Sequence, residues 1–186
     1  SATSYYLLGR AYLASGERQK AVTAFNKALE LSPGDPGAGS SLADLALSDD
    51  DYEAARNYYK QVLEHYPDNM QMRLKIAASY AVEGKEQEML DSLQSTLSAY
   101  PRAMEPRLVK ARYHMAKGQL EKVTPLIDEL TEDQKEHPDA MLTVAAFELA
   151  VSRYNQALVT LGKLLKVRPD AGQYHYMKSK AYAGLG

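Results

Sequence analysis

The sequence predicts an all-α protein in which about eleven helices pair into antiparallel hairpins that stack into a solenoid. Prolines occur at Pro33, Pro67, Pro101 and Pro169, so that successive prolines are 34, 34 and 68 residues apart. The chain also ends on a phrase, HYMKSKAYAGLG, that resembles its opening, YYLLGRAYLASG. One position of every period holds a small residue: Gly9, Ala43, Ala77, Ala111, Ala145 and Ser179. Fixed periods of roughly 20 to 50 residues are typical of stacked repeats.

Each period predicts two helices with a break between them. The first helix contains the small residue, which lets two helix backbones approach closely. The chain then reverses at residues suited to a tight turn, or close to one: Gly16, Asp50, Gly84, Gly118 and Ser152. The second helix carries apolar residues four and three positions apart, such as Ala21, Phe25 and Ala28, which share one face. Proline ends that helix, and Asp68 and Asp170 are predicted to cap the helices that follow.

The period divides residues 1–186 into one array of five repeats and a partial sixth: 2–35, 36–69, 70–103, 104–137, 138–171 and 172–186. Two repeats contain irregular residues. Pro36-Gly37-Ala38-Gly39 should fray the first turn of its helix. Pro125 lies inside a second helix and should bend it or delay its start, while Lys135, in place of a proline, should let that helix run on toward His137. The fourth repeat is therefore predicted to be the least regular.

Composition excludes several classes of function. A net charge of -2 leaves no basic surplus for nucleic acid, and the chain contains no Cys and no apolar run long enough to insert in a membrane. The four histidines lack metal-binding spacing, and His114 is predicted to be a packed, hydrogen-bonded core residue. Asp49, Asp50 and Asp51 are interpreted as capping residues. We therefore predict a protein with no catalytic residues, no metal and no cofactor, which is not an enzyme.

The first repeat resembles the tetratricopeptide repeat (TPR), a helix-turn-helix unit of 34 residues. It matches that signature at Tyr5, Leu8, Gly9, Tyr12, Ala21, Phe25, Ala28 and Pro33. The resemblance covers the whole chain and implies a right-handed superhelical solenoid that binds other proteins. Single repeats cannot bury their apolar faces alone, so stability comes from stacking on neighbours.

In this family, side chains of the first helices line a concave groove, and the resemblance implies which residues of this chain would contact a partner. They form an apolar floor with a few charges, mainly cationic: Tyr6, Arg10, Leu13, Asp44, Leu47, Leu74, Leu108, Arg112, Met115, Leu142, Leu149, Tyr176 and Lys180. The Lys and Asn pattern with which some members grip a C-terminal carboxylate is absent. The predicted ligand is therefore an apolar peptide or amphipathic helix, oriented by Arg10, Arg112 or Lys180.

A narrower resemblance concerns residues 100–118 and 162–186, which are similar to the TPR lipoprotein of the bacterial exosortase, or PEP-CTERM, system. It implies an envelope scaffold in protein sorting or exopolysaccharide export. Two alternatives stay open: a surface that binds an anionic polysaccharide through Tyr6, Tyr176 and Arg112, and a structural spacer without a ligand. Met177, Ala181, Tyr182 and Leu185 are expected to need a partner helix, which predicts a longer parent array or self-association through the last helix.

Overall fold

The computed structural model describes all 186 residues and contains twelve α-helices, one short 3₁₀ helix and no β-strand. The prediction of an all-α repeat fold is confirmed. The chain forms two compact halves, residues 1–95 and 96–186. No helix combines the length and the apolar character needed to cross a membrane.

The N-terminal half contains two complete hairpins and most of a third. Its helices are α1 (Ala2–Ala14), α2 (Arg18–Leu31), α3 (Pro36–Ser48), α4 (Tyr52–His65), α5 (Met70–Glu83) and the first part of α6 (Glu86–Ala99). Helix α1 packs on α2, and α3 packs on α4, within their hairpins. Successive hairpins meet where α3 packs on α2 and α5 packs on α4. Phe25 and Tyr59 are the largest side chains in this core and are almost fully buried. They occupy the same position of successive repeats, so the period reproduces one core contact in each hairpin.

The C-terminal half contains the end of α6 and six further α-helices. These are α7 (Met104–Ala116), α8 (Val123–Asp128), α9 (Glu132–Lys135), α10 (Pro138–Ala150), α11 (Tyr154–Val167) and α12 (Gly172–Leu185), with the 3₁₀ turn at Leu120–Lys122. Helices α10, α11 and α12 pack around Met141, Leu161, Leu164 and Tyr174. Met177 and Ala181 of α12 are buried in this half. The expectation that these two residues need a further helix was therefore wrong, whereas Tyr182 and Leu185 are exposed.

The predicted breaks between paired helices are turns in which one residue has a positive φ. Gly16, Gly84 and Gly118 have φ of 75°, 81° and 71°, and Asp50 and Ser152 have φ of 57° and 59°. This left-handed region is strained for most side chains, but glycine adopts it freely and aspartate tolerates it. These five positions are one repeat apart, so the turn geometry follows the same period as the core.

The expected fraying of α3 does not occur. The helix begins at Pro36, and Asp35 caps it because its Oδ1 accepts a hydrogen bond from the Ala38 amide at 2.8 Å. Gly39 is required by packing, since a Cβ on it would lie 2.6 Å from Val62 Cγ2 of α4. The close approach of α3 and α4 therefore explains why α3 contains Gly39, although glycine disfavours helix.

The fourth repeat is the least regular, as predicted. Its second helix is reduced to α8, which contains Pro125 and ends at Asp128. The predicted run-on toward His137 was wrong, because the chain turns after α8 and starts α9 with a capping box between Thr131 and Gln134. Gln134 Nε2 also donates to the Arg102 carbonyl at 2.7 Å. This additional short helix is why the count exceeds the eleven that were predicted.

Two predicted helix caps were also wrong. The residue that caps α5 is Asn69, not Asp68, and its Oδ1 accepts from the Met72 amide at 3.2 Å. The residue before α12 is Ala171, which follows Asp170 and gives no side-chain cap. In both repeats the helix begins one residue later than the sequence pattern suggested, a common uncertainty at helix ends.

Candidate functional site: a groove between α10 and α12

The first helices of the fifth and sixth repeats enclose a groove of about 660 Å³ in the C-terminal half. Three residues predicted to bind a partner come together there: Leu149 from α10, and Tyr176 and Lys180 from α12. The remaining lining residues are Ala146, Ala150, Tyr154, Met177, Ala183 and Gly184. Residues three or four apart share a helix face, which is why successive turns of α10 contribute Ala146, Leu149 and Ala150 and successive turns of α12 contribute Tyr176, Lys180 and Ala183.

Two tyrosines form the walls of this groove. Tyr176 is 60% exposed, so its ring faces solvent over most of its surface. Tyr154 lies at the start of α11, where its hydroxyl donates to Ser152 Oγ at 3.2 Å. Its ring packs directly on the backbone of Gly184, leaving no room for a Cβ there. Tyr154 can therefore pack at one side of the groove because Gly184 of α12 has no side chain.

The groove carries one charged side chain, Lys180. Its ammonium lies 5.0 Å from the centre of the Tyr176 ring, within cation–π distance, and it forms no ion pair. Glu148 also lies on α10, but its carboxylate accepts a hydrogen bond from Thr160 Oγ1 at 2.9 Å. Burial raises the pKa of Glu148, partly offset by this hydrogen bond and by the charge of Arg153. The surface thus combines apolar walls, a small-residue floor and one cation.

In the N-terminal half, the predicted binding residue Asp44 already has partners within the chain. Lys75 of α5 donates to Asp44 at 3.0 Å and to Ser40 Oγ at 2.7 Å, both on α3. Asp44 also accepts from the Tyr59 hydroxyl at 3.2 Å. Burial, with the charge of Asp44, raises the pKa of Tyr59. Asp44 is therefore part of an internal network before any partner arrives, and Lys75, which was not among the predicted binding residues, belongs to the same network.

The other predicted residues lie at different degrees of exposure. Arg10 is exposed beside Tyr6, 5.9 Å from its ring centre, and Arg112 donates to Thr143 Oγ1 at 3.2 Å. Leu13 is 37% exposed. Four more side chains are only partly buried: Leu47, Leu74, Met115 and Leu142.

Leu108 does not line a groove and corrects the prediction. It is 2% exposed and packs against Leu130 and Ala140. Leu130, in the turn that follows α8, and Ala140 of α10 cover Leu108, and Leu130 lies at the repeat position of the buried Ala28, Val62 and Leu164.

The interpretation of His114 is confirmed, whereas the capping role predicted for Asp49, Asp50 and Asp51 holds for Asp51 only, since Asp50 accepts from the Tyr52 hydroxyl. His114 is 5% exposed, and its Nδ1 shares a hydrogen bond of 2.8 Å with Gln119 Oε1, so it is a packed core histidine. Asp51 caps α4 by accepting from the Ala54 amide at 3.0 Å. Asp49 pairs instead with Arg18, 2.5 Å away.

Tyr154 was missed because it belongs to a second helix, outside the positions from which partner-binding residues were taken. A signal for it existed. Tyr52 and Tyr154 hold the same position in the second and fifth repeats, and each hydroxyl bonds the positive-φ residue of its turn. In the first repeat that position is Arg18, which donates to Ser48 of the next repeat, the equivalent of Gly184. Residues at the start of a second helix thus reach the neighbouring first helix.

Models of the tetratricopeptide repeat match residues 2–35 and 41–103, which together make up more than half of the chain. The chain belongs to the tetratricopeptide repeat family. The helical hairpins and their turns described above are those of this family, including repeats beyond the matched residues. Similarity to solved TPR structures supports the same fold over nearly the whole chain. A TPR protein from Parabacteroides merdae superposes with a TM-score of 0.70 at 15% identity, covering 100% of this chain and 73% of that one.

Two further similarities are informative about context. The structure of YrrB, described as a TPR protein with an unusual peptide-binding site, superposes with a TM-score of 0.58 at 18% identity, covering 96% of this chain and 92% of that chain. In sequence, the chain is 26% identical over 180 residues to cellulose synthase operon protein C of Pseudomonas fluorescens (strain SBW25), with 74% of this chain covered. The chain spans 14% of the length of that relative.

Proposed function

We propose that this TPR chain is a non-catalytic scaffold that binds a peptide or helical segment of another protein in the groove between α10 and α12. The observation that carries the proposal is the composition of that groove. The exposed Tyr176, the partly buried Leu149 and the alanines form an apolar surface that carries a single cation, Lys180, and leaves about 660 Å³ of space. Exposed apolar patches rimmed by polar residues are typical of interaction sites, and TPR proteins generally act as scaffolds.

The proposed setting is exopolysaccharide export in a bacterial envelope. Similarity to cellulose synthase operon protein C supports it, although that relative extends far beyond the aligned part. The likeness of residues 100–118 and 162–186 to the exosortase-associated lipoprotein suggests a related setting, in which the scaffold also serves protein sorting. In either setting the chain would position another protein and would not act on the polymer itself.

The test fills the groove without disturbing the core. Ala183 is exposed on α12 and lines the groove, so Ala183→Trp places an indole in the space that a partner would occupy. Val159→Trp is the matched control, because Val159 is 65% exposed on α11 outside the groove. We expect a partner recovered from the source cell to be lost with Ala183→Trp and kept with Val159→Trp. Equal recovery by both variants would contradict the proposal.

A second candidate is carbohydrate binding at the same groove. Tyr154 and Tyr176 offer two aromatic faces beside Lys180, an arrangement able to stack on sugar rings and pair with an acidic group. Isothermal titration with cellohexaose and with alginate oligomers separates this candidate from the first. Binding of either sugar that is lost with Tyr176→Ala and with Ala183→Trp would favour it. A structural spacer would bind neither a protein nor a sugar.

A further inference from the structure

We infer that the segment received by the α10–α12 groove carries a bulky apolar side chain next to a carboxylate, with the carboxylate on Lys180. This inference rests on the proposed function and specifies the chemistry of the partner. The apolar side chain would lie between the Tyr154 and Tyr176 rings, above the small residues Ala146 and Ala183.

The size of the groove supports a bulky apolar residue. Its volume of about 660 Å³ is in the range of pockets that bury much of a small ligand. Alanine side chains fill little of this space, and the Tyr154 ring closes one side because Gly184 lets it pack on the α12 backbone. Large rigid side chains gain the most from such a surface, since they bury much apolar area with few rotatable bonds.

The charge of the groove supports a carboxylate. On other first helices, Lys75 and Arg112 already donate to Asp44 and Thr143, whereas Arg10, at the repeat position of Lys180, lies 5.9 Å from the Tyr6 ring centre and does not line the α10–α12 groove. Lys180 has no acceptor in this chain, and its ammonium lies over the Tyr176 ring at 5.0 Å. An ammonium flanked by apolar surface binds an anionic oxygen more strongly than one in open water, because the local dielectric is lower. Specificity for an acidic segment follows.

The test uses the full chain and a set of short fluorescent Gly-Ser peptides. Each peptide carries one Phe with Asp, Asn or Lys placed one to three residues to either side, and an Ala-for-Phe peptide with Asp is the reference for the apolar contribution. Binding is measured by anisotropy at low salt. We expect the best Phe and Asp probe to bind about three- to fivefold more tightly than its Asn counterpart, as a partly exposed ion pair would give. High salt should reduce that ratio.

Charge reversal makes the test specific to one residue. Lys180→Glu should invert the preference, so that the Lys probe binds more tightly than the Asp probe. Lys178→Glu is the matched control on the same helix, because Lys178 lies over Tyr182 at 5.9 Å and does not line the groove. It changes the net charge equally and should keep the Asp preference.

Failure of this inference is distinguishable from failure of the proposed function. If the Phe probes with Asp, Asn and Lys bind equally tightly, and none of them binds the Ala183→Trp variant, the carboxylate preference is refuted while the groove remains a peptide-binding site. An Asp preference that disappears equally in both lysine variants would also overturn it, since it would then reflect general charge. If no probe binds, the inference fails whatever the capture result, and if Ala183→Trp also leaves partner capture unchanged, the proposed function fails with it.

Discussion

Replacement of Glu83 by Gln tests how a buried charge is held in the N-terminal half. Arg56 of α4 has a side chain only 7% exposed, and its guanidinium donates to Glu83 at 2.7 Å. It also lies 4.2 Å from the centre of the Tyr80 ring. Glu83, at the end of α5, is the only anion that this guanidinium contacts. Glu83→Gln keeps the shape and one acceptor oxygen but leaves the cation without a counter-charge.

The expected cost follows from the burial of Arg56. Removing one member of a buried ion pair typically destabilises by about 3 to 5 kcal/mol, because the remaining charge is uncompensated. The Tyr80 ring and the retained amide oxygen recover part of this, so we expect a loss of about 2 kcal/mol. Lys85 bonds the same carboxylate at 2.5 Å but is 45% exposed. Lys85→Met is the matched control and should cost less than about 1 kcal/mol, since water replaces an exposed partner.

The pH dependence has a defined sign. The hydrogen bond from Lys85, and then that from Arg56, hold the pKa of Glu83 below its usual range. A carboxyl whose pKa is lower in the folded than in the unfolded protein stabilises the fold at pH values above its unfolded-state pKa, which is about 4.3. This stabilisation is lost as the pH falls through the folded-state pKa. Wild type and Glu83→Gln should therefore become more alike in acid.

Urea denaturation followed by circular dichroism gives the stabilities, and amide hydrogen exchange shows where they change. Exchange should quicken in α4 and α5 and stay unchanged in α11, because repeat proteins open locally. The reasoning is refuted if Glu83→Gln costs no more than Lys85→Met, or if exchange quickens equally in α11.

Two further predictions concern packing and pH. Gly39→Ala should destabilise the protein by about 1 to 3 kcal/mol in urea denaturation, because the added methyl meets Val62. Gly162 has open space around it, so Gly162→Ala should stabilise α11 by about 1 kcal/mol. Changes in the free energy of unfolding with the same sign for both variants would contradict this. Glu148→Gln keeps an acceptor for Thr160 and should be more stable than wild type at neutral pH, because burial raises the pKa of Glu148. That advantage should shrink as pH falls toward about 4.3, where wild type is protonated too; melting temperatures across pH would show no trend if the carboxyl were solvated.

The period of the sequence is sufficient to predict the hairpins, since turn residues and core residues recur together. It cannot predict contacts that depend on two helices meeting. Gly39 looks like a helix breaker until Val62, far along the chain, is seen against it. Leu108 looks like a groove residue until Leu130 covers it. In both cases the deciding partner lies more than 20 residues along the chain, in α4 for Gly39 and in the turn after α8 for Leu108, and the local pattern does not fix its course.

The repeat pattern alone also could not identify which of the predicted binding residues are available to a partner. Equivalent positions of a repeat suggest equivalent roles, and the predicted binding residues were chosen on that basis. The structure separates them by what each side chain already contacts: Asp44 is held by Lys75 and Tyr59, while Lys180 has only the face of Tyr176. A charge with an internal partner would lose that partner on binding a ligand, whereas Lys180 would lose only its hydration. The unpaired cation in an apolar groove is therefore the more favourable place for a partner to bind.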